Sequence, residues 1–211
     1  MGSCSLTLAK DSNIKKNSAT VNVGADPLCN LRANVAGTIV GRIVQHWTGM
    51  SQIPVGATNI VFTETMNCSA VTTASAQQIN ARRLTQSFVE GTGDEGSGGS
   101  DGVCWNFRTN SSTNAWSVAG GTPGTVDENI GTSPVATGLF QYDMSDVGNE
   151  QYLIGGDDLY LMIKRNTESG VLSNVDFDSR TGTVPPTMNV TWTDPVAAGN
   201  SGINRLLRGA G

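Results

Sequence analysis

Histidine is nearly missing from this 211-residue chain, as are paired cysteines, long apolar runs and basic residues in its middle. His46 is the only histidine. A Ser-His-Asp or Cys-His mechanism would have to use that one ring, and histidine-rich metal centres are excluded by count. His46 lies in GRIVQHWTG, a strand-like stretch in which a satisfied or surface histidine is the ordinary role. Cys4, Cys29, Cys68 and Cys104 are far apart, with no Cys-x-x-Cys pair, so a zinc site is not expected. They read as buried free thiols in a reducing compartment, with disulfides as the alternative.

No run approaches the roughly eighteen apolar residues needed to span a membrane, so no membrane partner is expected. The opening residues, Met1-Gly2-Ser3-Cys4-Ser5-Leu6-Thr7, lack the basic-then-apolar pattern of a secretory signal. The expectation is a protein that stays where it is made, a removed signal being the other possibility. Between Glu90 and Asp158 there are eleven acidic residues and a single base, Arg108, within a net charge of −5. Such a body does not suit nucleic acid, which needs a basic face.

Glycine is abundant, with 26 residues, and Thr, Val, Ser and Asn recur. In NIVFTETMNC, residues Ile60, Phe62, Met66 and Cys68 share one face; in TMNVTW, Met188, Val190 and Trp192 do. In DLYLMIK, Leu159, Leu161 and Ile163 alternate with Tyr160 and Met162, so both faces are apolar, as in a strand covered on each side. Further strand candidates are 5–9, 20–23, 38–47, 78–86, 137–142 and 173–178, separated by turn clusters such as PVGATN and RTGTVPP. Helix is limited to a turn or two in DMSDVGNEQYL, capped by Asp143 or Ser145. The expected fold is all-β: an antiparallel β-sandwich of jelly-roll type with about ten short strands. One domain over 1–193 is expected, interrupted by a glycine-rich acidic loop at 91–102, with a C-terminal extension at 194–211.

The loop is not a phosphate cradle: it has no Gly-Lys-Ser/Thr ending and no base, and its carboxylates repel phosphate. Glu64 and Glu90 are candidates for a carboxylate pair of the glycosidase kind, although no local motif selects them. Calcium, which takes several hard oxygens from loops, is the one metal considered, with Asp11, Asp176 and Asp178 as its candidate ligands. No cofactor is otherwise required. Of the tryptophans, Trp47 and Trp192 read as core, while Trp116 and Trp105 are candidates for stacking against a sugar ring. In the extension, Ile203, Leu206 and Leu207 flanked by Arg205 and Arg208 form a small apolar-basic stripe suited to docking on a partner.

Several segments together carry a family likeness: LAKDSNIKKNSATVNVG followed by CNLRAN, GRIVQHWTGMSQIPVGATNIVFTETMNC, and LYLMIKRNTESGVLSNVDFDSRTGTVPPTMNVTWT. The most specific is RRLTQSFVEGTG, followed after the loop by GVCWNFRTNSSTNAWSVAGG. Over roughly residues 5 to 193 the chain resembles the DNRLRE domain family, the β-sandwiches related to disaggregatase repeats. The resemblance implies that Glu90, Trp105 and Asn106 are framework positions at the two ends of a variable loop whose middle is an insertion. Phe88 stands where the family usually has tryptophan, and Asp178 stands near a common glutamate. Members resemble carbohydrate-binding modules of polysaccharide-degrading enzymes, or are parts of surface, adhesive or viral particle proteins. The expectation drawn here is a non-catalytic structural protein of a virus particle. It would decorate a bacteriophage capsid or the head-tail surface, with neighbouring virion proteins and copies of itself as partners and polysaccharide as a further contact. The alternative is a carbohydrate-binding module of a secreted enzyme or adhesin.

Overall fold

A computed structural model describes residues 1–73, 75–94, 99–109 and 113–196. The protein is all-β: among the described residues there are ten strands, all pairing antiparallel, and one α-helix. Six strands close a ring: β1 (Gly2–Lys15), β10 (Thr187–Thr193), β4 (Thr58–Thr73), β9 (Ser173–Asp178), β2 (Leu28–Ala33) and β3 (Val40–Thr48), which returns to β1. Closure depends on two long strands that serve two neighbours in succession. Residues 2–6 of β1 pair with β10 and residues 7–15 with β3, while β4 passes from β10 to β9 along its length. Closing a sheet on itself satisfies strand edges that would otherwise stay unpaired. Outside the ring, β8 (Asp158–Arg165) extends β3, followed by β5 (Gln78–Arg83) and β6 (Glu128–Thr132), and β7 (Gly138–Asp143) lies on the free edge of β4.

Alternation dictates which side chains fill the ring. Met188, Val190 and Trp192 of β10 are buried while Thr187, Asn189 and Thr191 are exposed. With Phe62, Met66, Trp47, Leu31, Phe177 and Leu161 they form the larger core. β3 and β8 are buried on both faces, as the two-sided pattern of β8 requires. Their outer faces meet a second core, in which Ile14, Val40, Val44 and Met162 contact Leu84, Phe88, Val103, Trp105 and Trp116. Those last five residues belong to the long connection between β5 and β6, which acts as a cover over β1, β3 and β8. Burying one indole removes roughly 200 Å² from water, about 5 kcal/mol before ordering costs are counted.

The short helical turn expected from the sequence is a ten-residue helix, α1 (Ser145–Ile154). Its N–H groups are met from outside the helix. The Glu128 carboxylate of β6 accepts hydrogen bonds from the Asp146 and Val147 amides, both at 3.0 Å, and Asp143 accepts from the Ser145 amide at 2.9 Å. These bonds satisfy donors that a helix start leaves open. Val147, Gly148 and Gln151 face inward; a Cβ on Gly148 would lie 2.4 Å from the Phe62 ring, so only glycine lets α1 approach β4 this closely. The helix stops at Gly155, whose φ of +85° suits glycine and whose amide donates to the Gln151 carbonyl.

Candidate functional site

The root of the glycine loop is a polar knot. The Glu90 carboxylate receives the Arg180 guanidinium at 2.7 and 3.2 Å and the Asp11 amide at 2.9 Å. The Arg180 amide in turn donates to the Asp11 carboxylate at 2.6 Å. Burial, aided by the nearby Glu90 charge, pushes the Asp11 carboxyl up to about 7. Asn22, fully buried, donates to the carbonyls of Glu90 and Val103 at 2.6 and 2.9 Å, joining the two ends of the loop. Its carboxamide oxygen accepts from the Gly24 and Gly93 amides. Here glycine provides close approach: a Cβ on Gly102 would sit 2.4 Å from the Glu90 carbonyl oxygen. Beyond the far end of the loop, the Asn106 amide donates to the Ala19 carbonyl at 3.0 Å.

Each of the three calcium candidates meets a different partner. Asp11 binds the Arg180 backbone, two residues beyond Asp178; Asp176 accepts from Asn30 at 2.5 Å; Asp178 accepts from Asn67 at 2.9 Å and from the Val184 amide at 2.8 Å. Among the described residues no group of three or more His, Cys, Asp and Glu side chains is arranged to hold a metal. The sequence places Asp176 and Asp178 correctly on one strand end, but it did not show the amides that occupy their oxygens.

The stacking candidates lie inside the second core. Trp116, expected to be the exposed ring, is only 5 % exposed, and its indole N–H donates to the Cys104 carbonyl at 3.0 Å. Trp105 is 8 % exposed and carries the Arg42 guanidinium over its ring, 4.5 Å from the centroid. Arg42 is itself held by the Glu168 carboxylate through two 2.7 Å bonds and by the Gly120 carbonyl. Neither indole offers the open face that stacking on a sugar needs. The Asn/Ser/Thr-rich surroundings of Trp116 suggested exposure, yet the ring is buried because it anchors the cover.

The carboxylate pair is not assembled either. Glu64 is completely buried on the inward face of β4, bonded to Gln45 at 2.7 Å, while Glu90 is held in the knot. Burial pushes the Glu64 carboxyl up to about 8. His46 contacts Asp158 at 2.7 Å and stacks on Tyr160 at 4.2 Å. All four cysteines are free, and burial raises their thiols, that of Cys68 to about 11. The docking candidates Ile203, Arg205, Leu206, Leu207 and Arg208 lie outside the described residues.

The strongest functional feature is one the sequence did not single out. At the C-terminal end of α1 three shallow concavities adjoin, of about 350, 280 and 280 Å³. The largest shares Tyr152 with the second and the Gly155-Gly156-Asp157 turn with the third. Met50 and Ile53, both buried, form the floor of the largest, and the Tyr152 hydroxyl fixes its wall by donating to the Pro54 carbonyl and accepting from the Ala57 amide. Val55 on this concavity, Leu153 on the second and Ile154 on the third stand 95, 84 and 60 % exposed. No basic residue lies in the last turn of α1, so the negative end of its dipole has no cation from the helix itself. Asp157 and Asp158 follow directly, both exposed, and the hydrogen bond from Ser51 holds the Asp157 carboxyl below its ordinary value. The only sequence signal was the apolar pair Leu153-Ile154 set against Gly155-Gly156 at a helix end. No helix among the described residues is long and apolar enough to cross a membrane. No family model matches the chain, and no curated protein matches it.

Proposed function

We propose that this protein is a non-catalytic structural component of a virus particle, a bacteriophage capsid-decorating or head-tail surface protein. Its fold is read as a jelly-roll-type sandwich of the DNRLRE kind. The observation that carries the reading is the apolar surface at the end of α1, where Val55, Leu153 and Ile154 are exposed, each lining one of three adjoining concavities. Clusters of exposed large apolar side chains mark protein contact sites more often than free surface. The buried polar knot and the anchored cover supply rigidity, which a particle component requires. The viral setting itself rests on the family resemblance. The neighbours of the protein are then other particle proteins and copies of itself.

The test is gradient purification of the virus that encodes the chain, followed by quantitative mass spectrometry of the particle band. Recovery at a fixed copy number per particle supports the reading; its absence from particles sinks it. A second reading is carbohydrate binding, favoured by the outward face of β10 and β4. That face presents Asn189, Thr187, Thr191, Thr63, Thr65 and Asn67, an uncharged set of hydroxyls and amides. Retention on a polysaccharide column, abolished by free oligosaccharide, would favour it.

A further inference from the structure

The groove at the end of α1 has a shape, a charge and a neighbour that together name an occupant. Its floor is apolar, its largest concavity of about 350 Å³ suits a few side chains rather than a large ligand, and Asp157 lines it beside the negative end of a helix dipole, with Asp158, which also contacts His46, on the adjoining concavity. The partner it fits is therefore a short apolar segment flanked by cations. The chain contains one such segment. In GINRLLRG, Ile203, Leu206 and Leu207 alternate with Arg205 and Arg208, and no acid follows Asp194.

The described chain also leads to the groove. Pro195 packs at Gly56, where a Cβ would lie 3.7 Å from the proline ring, and Gly56 adjoins Val55 on the groove rim. From Val196 to Leu206 is ten residues, up to about 33 Å of extended chain. Groove and exit point thus lie on the same side of the molecule. A two-fold arrangement of two copies facing each other here brings each groove within reach of the other copy's segment. It also covers Val55, Leu153 and Ile154, which are otherwise exposed.

We propose that the α1 groove binds the Ile203–Arg208 segment of a second copy of this chain, so that two copies pair by exchanging their C-terminal segments. The inference builds on the reading of the protein as an assembly component and names the contact. Exchange makes the interface isologous: each copy donates one segment and accepts one. Leu206 and Leu207 enter over Met50, Ile53 and Tyr152, and Arg205 and Arg208 meet Asp157 and Asp158. Salt weakens the charged part of the contact and leaves the apolar part.

Sedimentation velocity of the full chain across a hundredfold concentration range tests this. A dimer is expected at micromolar concentrations. Leu153→Asp, which spoils the groove, and Leu206→Asp, which spoils the segment, each weaken association at least tenfold. The altered positions are exposed or lie beyond the described residues, and circular dichroism melts check that both variants remain folded. Mixing the two variants supplies the deciding arm. One intact groove and one intact segment then meet, so a heterodimer forms, whereas each variant alone stays monomeric. A full chain that is monomeric throughout overturns the proposal, and so does a dimer insensitive to Leu206→Asp or a mixture that fails to associate. A protein found at fixed copy number in particles yet monomeric in solution sinks this inference alone and leaves the particle reading standing.

Discussion

The two faces of β3 are buried by different means. Toward the ring, Ile43, Gln45 and Trp47 meet other strands whose positions are set by continuous ladders of backbone hydrogen bonds. Toward the cover, Val40, Val44 and their neighbours meet a segment with almost no ladder of its own, tied to itself by isolated bridges such as Leu84 with Pro123. The first core is held by topology. The second is held by anchors: Trp105 under Arg42, Trp116 on the Cys104 carbonyl, and Glu90 on Arg180. An anchored cover opens when one anchor is lost, whereas a laddered ring fails only as a whole.

Trp47→Ala breaks the comparison most severely. It empties a completely buried site in the ring, with an expected loss of about 3–5 kcal/mol, and all probes of unfolding should still move together. Trp105→Ala should cost less, about 2–3 kcal/mol, because the cover collapses partly onto the site. Its effect should be local: hydrogen exchange quickens in 84–94, 99–109 and 113–124 while β3 and β10 stay protected. Uniform loss of protection would show that ring and cover are one cooperative unit. Glu90→Gln removes the charge that holds Arg180 and should destabilise the loop root by about 1–2 kcal/mol, read as faster exchange at the amides of Asp11 and Arg180.

The smallest expected effect separates the cores by pH. Glu64 keeps its proton up to about 8 in the folded ring against 4.5 as its ordinary value, and Asp11 up to about 7 against 3.8. Protonation therefore favours the folded state. That contribution is complete below about pH 4 and is lost as pH rises through 7 and 8. Thermal melts should fall in midpoint between pH 5 and pH 8.5. Glu64→Gln should flatten the upper part of that fall, gaining about 1–2 kcal/mol at pH 8.5. An unchanged slope would assign the pH dependence elsewhere.

Legibility in the sequence follows the same division. β4, β8, β9 and β10 are visible because a strand with one face in a core must alternate, and the burial of Met188, Val190 and Trp192 follows that rule. Position 64 was open to the same reading, since an acid on the inward face of NIVFTETMNC has to be buried. β2 and β6 were not found as strand candidates: LCNLRA and ENIGT carry no alternation, and their place depends on partners distant in sequence. The 20–23 candidate is only a single bridge, Asn22 with Gly99. The glycine loop is ambiguous in the sequence for a physical reason. Glycine signals both freedom and close approach, and only the position of the buried Asn22 decides between them. The α1 groove is marked in the sequence only by Leu153-Ile154 beside Gly155-Gly156, because the exposure of Val55 and Leu153 depends on what fails to cover them.

The pairing of β1 with β10 has a consequence for how the molecule is made. Residues 2–6 wait for residues 188–192, and Met1 and Asp194 meet in an ion pair at 3.1 Å. The ring therefore cannot close while the chain is being synthesised. Until the last strand leaves the ribosome, β1 and β4 each keep an unpaired stretch of edge. Contacts between such distant residues slow folding, and open edges invite pairing with the wrong chain. Crowded polysomes, where many incomplete copies lie side by side, are the setting in which this protein is most exposed to misassembly.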